Sequence, residues 1–253
     1  MIGNLKILKH QGKQYIPDVT KVDIPGVFRG RPIISSEKLN EQELQELKDL
    51  CPTNAIGINP VSIDMGRCTF CGECAFAFPN KIKFTKDYKI ATNTREDLII
   101  KEGQDNVIEL NTDLIRKEIS SYFSGSLKLR QVSTGGDGSN EMELGACNNV
   151  NFDMSRFGID FVSSPRHADG LVITGAFSEN MAASLQICYD AIPEPKIIIL
   201  AGIDAISGGI FEGSPALDRG FLDKYHIDLY VPGNPIHPLT FINGILDLIK
   251  KRK

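Results

Sequence analysis

Cys51-Pro52, followed further along by Cys68-Thr69-Phe70-Cys71-Gly72-Glu73-Cys74, carries four of the six cysteines in the chain. Three thiols at C-x2-C-x2-C spacing share one tight loop, and the fourth waits on a detached Cys-Pro. A cubane iron–sulfur cluster needs a thiolate on every iron, and a loop of three plus one remote ligand supplies that set. The spacing predicts one [4Fe–4S] cluster on Cys51, Cys68, Cys71 and Cys74, inside a small α+β module. A structural zinc site is the competing reading. Such sites usually pair two short Cys-x-x-Cys knuckles, which three thiols on one loop fit poorly.

In two-cluster bacterial ferredoxins the run ends in a further C-P, whose cysteine ligates the other cluster. Here that place is Phe78-Pro79, so the proline survives without its thiolate. Upstream, where a first cluster loop belongs, Leu39, Leu44, Leu47 and Leu50 recur at helical spacing and predict a helix running into Cys51-Pro52. Both departures point to half a ferredoxin, with one cluster kept and one lost. Backbone N–H groups near Gly66 and Gly72 are expected to tune the cluster through hydrogen bonds to sulfur.

Across 253 residues, 42% are hydrophobic and 24% charged, the composition of a globular chain with room for two modest domains. The net charge of −4 gives nucleic acid no footing, and Lys250-Lys251-Arg252-Lys253 reads as the basic end of a helix. No apolar run reaches the roughly 20 residues a bilayer span needs, and the first ten residues lack a signal peptide's apolar core. Thiols clustered for metal suit a reducing interior, which predicts cytoplasmic residence.

The organisation expected is an arm over 1–35, a ferredoxin-like domain over 36–92, a connector over 93–126 and an α/β domain over 127–253. Short strands are predicted at 55–58 and 81–84, and a helix near 112–123. Beyond 127, strands at 127–132, 159–163, 171–174, 196–201 and 227–230 alternate with helices at 140–150, 178–191 and 237–250. That rhythm predicts a flavodoxin-like parallel sheet, with any ligand at the carboxyl ends of its strands. No phosphate-binding glycine loop is present there, so no nucleotide is indicated.

Arg156-Phe157-Gly158-Ile159, Ser164-Pro165-Arg166-His167-Ala168-Asp169, Ile173-Thr174-Gly175, Ser207-Gly208-Gly209-Ile210-Phe211 and Tyr230-Val231-Pro232-Gly233 cover the second half. Together they resemble the small subunit shared by group-4 membrane-bound [NiFe] hydrogenases and the 20 kDa subunit of respiratory complex I. The half-ferredoxin, preceded by Phe28-Arg29-Gly30-Arg31-Pro32, resembles the electron-feeding ferredoxin subunits of the same complexes, here fused to the small subunit. The resemblance implies an electron-transfer subunit rather than a free-standing catalyst. Its implied partners are a large-subunit homologue and membrane subunits, and its place is peripheral, on the inner face of the cell membrane.

In those relatives the strand-end loops carry four cysteines for a proximal [4Fe–4S] cluster. The corresponding positions here are Asp137, Asn140, Asp204 and Asn234. Oxygen ligands do not replace thiolates on a soft iron–sulfur core, so the expectation is that this cluster is absent. The four could instead hold a hard cation or simply satisfy one another, and the second reading is favoured. Arg166 and His167 are candidates for an interface or for tuning, set against a plain turn pinned by Pro165. The alternative for the whole chain is a non-redox docking subunit of the same kind of complex.

Overall fold

The computed structural model describes residues 2–12, 14–105 and 107–249. The basic tail 250–253 lies outside the described residues. The helices are α1 (Ile2–Gln11), α2 (Glu41–Asp49), α3 (Glu73–Ala77), α4 (Lys117–Phe123), α5 (Ser139–Ala146), α6 (Glu179–Ala191), α7 (Ile203–Ser207), α8 (Gly220–Lys224) and α9 (Pro238–Leu248). The strands are β1 (Pro32–Ile34), β2 (Ile56–Ile58), β3 (Val61–Asp64), β4 (Ile82–Phe84), β5 (Ile99–Lys101), β6 (Leu127–Ser133), β7 (Ile159–Phe161), β8 (Gly170–Thr174), β9 (Ile197–Ala201) and β10 (Leu229–Val231).

The second half forms one five-stranded sheet in the order β10-β9-β8-β6-β7, every pairing parallel. Numbered within the sheet this is the flavodoxin-like 2-1-3-4-5 order, so the winding reverses between β6 and β8. Strands β8 and β9 are buried along their whole length, as expected of a sheet covered on both faces. Leu239, Phe241, Ile242 and Ile245 of α9 join Leu127, Leu129, Ile197 and Leu229 on one face. Phe177, Leu185, Ala205 and Phe221 join Leu171, Ile173, Ile198 and Leu200 on the other.

The first half builds two small antiparallel sheets, β2-β3-β5 and β1-β4. The two short strands expected beside the cysteine loop therefore belong to different sheets. β4 pairs with β1 from the arm, whereas β2 pairs with β3 inside the ferredoxin-like stretch, and β3 in turn with β5 from the connector. Helix α2 opens on Asn40, whose side chain accepts from the Glu43 N–H while the Glu43 carboxylate accepts from the Asn40 N–H. This reciprocal cap starts the helix at Glu41, so Leu39 of the leucine pattern lies ahead of it.

Two further departures from expectation have local causes. The arm begins with a helix, because residues 5–9 are helix-compatible and uninterrupted by proline, although Leu5 and Leu8 remain exposed. The predicted helix near 112–123 divides into a 3-10 turn (Thr112–Leu114) and α4, separated where Arg116 turns aside. Its guanidinium meets the buried Asp228 at 2.9 and 3.0 Å, pinning the connector to the sheet.

Candidate functional site

Strand β3 delivers the chain into the cysteine loop, and Asp64 at its end organises the entry. The Asp64 carbonyl accepts from the Arg67 and Cys68 N–H groups. Its carboxylate accepts from the Gly66 N–H at 2.8 Å and takes the Arg95 guanidinium in a two-pronged pair. Phe70 at φ 54° and Gly72 at φ 84° then turn the backbone through the left-handed region, and α3 follows with Cys74 buried. Cys51 arrives from the end of α2, where its N–H donates to the Lys48 carbonyl.

All four thiols line a single narrow cavity of about 20 Å³, together with Leu50, Ile56, Ile63, Thr69, Glu73 and Phe84 among others. Cys68 and Cys74 are buried, Cys51 is half-buried and Cys71 is exposed. Among the described residues no three His, Cys, Asp or Glu side chains converge as ligands of one ion; what the four thiols share is the wall of this cavity. The Ala55 N–H donates to the Cys51 sulfur at 3.2 Å and the Phe70 N–H to the Cys68 sulfur at 3.3 Å. The donors expected near Gly66 thus lie elsewhere, since the Gly66 N–H is taken by Asp64. Burial pushes the Cys68 thiol up to about 12 and Cys74 to about 11, with repulsion from the neighbouring thiolates adding to both. Without positive charge in the cavity these sulfurs keep their protons.

The polar pole at the carboxyl ends of β6, β9 and β10 is only partly assembled. Asn140 is buried, and its side-chain oxygen accepts from the Ile236 N–H at 3.0 Å, tying α5 to the loop after β10. Asp137 is exposed and turned onto Ser139, which donates its N–H and hydroxyl and holds the carboxyl below the usual carboxylate range. Asp204 is buried, and burial raises its carboxyl, with Asp137 and Glu141 adding repulsion. Asn234 is exposed. No thiol lies at these four positions. Cys147 caps the end of α5, fully buried, with its S–H donating to the Glu143 carbonyl.

The cysteine loop is docked directly on this pole. Arg67 makes a two-pronged pair with Glu212, at 2.7 and 2.6 Å, just beyond α7. Gly66 approaches so closely that a Cβ there would lie 2.8 Å from Ile206. Between loop and pole opens a cleft of about 200 Å³, lined by Phe28, Arg29, Thr69, Phe70, Asn234 and His237 among others. Thr69 is common to this cleft and to the thiol cavity. His237 caps α9 by accepting from the Leu239 N–H at 3.1 Å. Neither Asp64 nor the partners Arg95 and Glu212 stands out in the sequence, because their pairing spans segments far apart in the chain.

Arg166 and His167 are exposed on a 3-10 turn that leads into the amino end of β8. Asp137, Asp204 and Asn234 follow the carboxyl ends of their strands. The short crossover from β7 thus returns the chain to the foot of the sheet, and Arg166 and His167 lie at the end opposite that pole.

The molecule is thus a flavodoxin-like α/β domain carrying a four-cysteine module on the pole where such folds bind ligands. The profile of the family described as NADH ubiquinone oxidoreductase, 20 Kd subunit, matches residues 138–248. An NADH-quinone oxidoreductase subunit of Bacteroides thetaiotaomicron is 32% identical over 181 residues, covering 68% of this chain and 90% of that protein. The corresponding subunit of Desulfovibrio desulfuricans is 39% identical over 107 residues, and there the match spans only 58% of the relative's length. Among solved structures, a chain of the membrane-bound sulfane sulfur reductase, an archaeal respiratory membrane complex, matches 50% of this chain and 70% of its own. Its sequence identity is 29% and its TM-score 0.44. The chain belongs to the family of the 20 kDa subunit of NADH-quinone oxidoreductase.

Proposed function

We propose that this protein is an iron–sulfur electron-transfer subunit of a membrane-associated oxidoreductase complex, of the group-4 hydrogenase-related or complex-I-like kind. It would carry one [4Fe–4S] cluster on Cys51, Cys68, Cys71 and Cys74 and no proximal cluster. The observation that carries the reading is that these four thiols line one cavity, whose other walls are mainly apolar and include Thr69 and Glu73. Three thiols on one loop plus a remote fourth suit a cubane better than the paired knuckles of a zinc site. A bound cluster supplies one-electron transfer. The chain's own residues hold the four sulfurs, exclude water at Cys68 and Cys74, and direct the Ala55 and Phe70 N–H groups at sulfur. Relatives that are subunits of NADH-quinone oxidoreductase support membership of a multisubunit complex, with a large-subunit homologue and membrane subunits as partners. Among the described residues no helix is long and apolar enough to cross a membrane, and attachment through such partners fits that.

Iron and acid-labile sulfide after anaerobic reconstitution should reach about four atoms each per chain. Reduced protein should give the EPR signal of a single cubane, and Cys71→Ser should lose it. Stoichiometry near eight, or two distinct signals, would refute the scheme. A second reading, a docking subunit without redox duty, draws on the oxygen-bearing residues at 137, 140, 204 and 234. Unchanged turnover of the intact complex carrying Cys71→Ser would favour it.

A further inference from the structure

We propose that Arg29 sets the reduction potential of the cluster held by the four cysteines, by lodging an uncompensated positive charge against the ligand loop. The inference rests on the cluster reading above and adds a role for a residue outside the ligand set. Arg29 Nη1 donates to the Phe70 carbonyl at 3.1 Å. Its Nε lies 2.6 Å from where a Cβ on Gly72 would stand. The guanidinium therefore lies across the loop at residues 70 and 72, each next to Cys71.

The backbone explains why a cation belongs there. Phe70 is held at a positive φ, which turns its N–H inward to the Cys68 sulfur and its carbonyl outward to Arg29. Gly72 leaves out the side chain that would push the guanidinium away. Three arginines surround the loop, but two are neutralised: Arg95 by Asp64, and Arg67 by Glu212 and Asp64. Arg29 makes no ion pair among the described residues. A four-thiolate cubane is anionic in both redox states and gains a further negative charge on reduction. A fixed cation beside it stabilises the reduced state more, and raises the potential. Cys71 is the exposed ligand, so this is also the edge at which solvent otherwise sets the potential.

The test is a dye-mediated, EPR-monitored redox titration of the reconstituted full chain and of Arg29→Gln and Arg29→Lys. Arg29→Gln should lower the reduced-to-oxidised ratio at fixed potential about tenfold, about 59 mV for one electron. Arg29→Lys, which keeps the charge, should stay closer to the parent than to the glutamine variant. An Arg29→Gln midpoint equal to or above the parent's overturns the proposal, as does an equal drop in both variants, which would make the guanidinium geometry decisive. Failure of Arg29→Gln alone to take up a cluster also overturns it, because the arginine would then assemble the loop rather than tune it. A parent protein without any cubane signal refutes the cluster reading instead, and the two failures are distinguishable.

Discussion

Two titratable side chains near the pole make opposite demands on pH. His237 is a half-buried cap whose imidazole accepts a hydrogen bond, and its partial burial lowers its affinity for a proton below the ordinary 6.5. As pH falls through 6.5 the unfolded chain takes up a proton that the folded chain resists, so stability is lost on acidification. Asn is a good cap that does not titrate. His237→Asn should flatten the dependence of the urea midpoint below about pH 6.5, and a slope unchanged from the parent would exclude His237 as its source. Asp204 runs the other way. Its carboxyl holds a proton more tightly folded than unfolded, so its ionisation costs stability as pH rises above the ordinary 3.8. Asp204→Asn should stabilise the protein at neutral pH by about 1 kcal/mol, with the gain vanishing in acid. Thermal melts at both ends of that range would check it. The cysteine set is legible residue by residue, because metal ligation imposes spacing on a short stretch. The role of Asp64 is not, because its partners Arg95 and Arg67 are brought to it only by the β3–β5 pairing and the loop's own turn.

Among the elements, α2 shows what propensity and capping each decide. Leucine periodicity predicts the helix, and Leu47 is its fully buried contact with the four-cysteine module. Asn40 and Glu43 fix where it begins. Asn40→Ala should cost about 1 kcal/mol and Leu47→Ala about 2 to 5 kcal/mol, both read from urea unfolding. Because α2 leads through its cap Leu50 into Cys51, the second change should also weaken cluster retention, measured as iron lost on gel filtration. An unaltered iron content would show that Cys51 is positioned without the helix. Strands β8 and β9 are readable as short apolar runs, and β6 by the alternation of Leu127 and Leu129 with Lys128 and Arg130. Helix α1 escapes such a reading, because its exposed Leu5, Ile7 and Leu8 give no amphipathic signal to a search for a buried face.

At the scale of the whole molecule, the halves are stitched together rather than strung in series. Thr92 pairs with Tyr230 at the free edge of β10, and Val19, Ile24, Tyr88 and Ala91 pack in the same core as α9. A fragment beginning at 127 would lose these contacts together with Ile119 and Phe123. It should unfold at markedly lower urea than the full chain and be cut readily by protease, whereas equal resistance would show the second half to be self-sufficient. The sequence shows a change of rhythm near 127, which fixes the start of the parallel sheet. It does not show that residues upstream complete the sheet's cover, since a buried arm contributes isolated side chains without periodicity.

The Val19 carbonyl accepts both from the Tyr88 hydroxyl and from the Asn243 amide. A nascent polypeptide leaves the ribosome with its amino end first, so this oxygen is made early and its final donor only once α9 has been translated. Cotranslational folding therefore cannot finish piece by piece here. Ribosome-stalled chains lacking residues 238–249 should stay open to proteolysis between Gln14 and Ile24, and released full-length chains should be protected there.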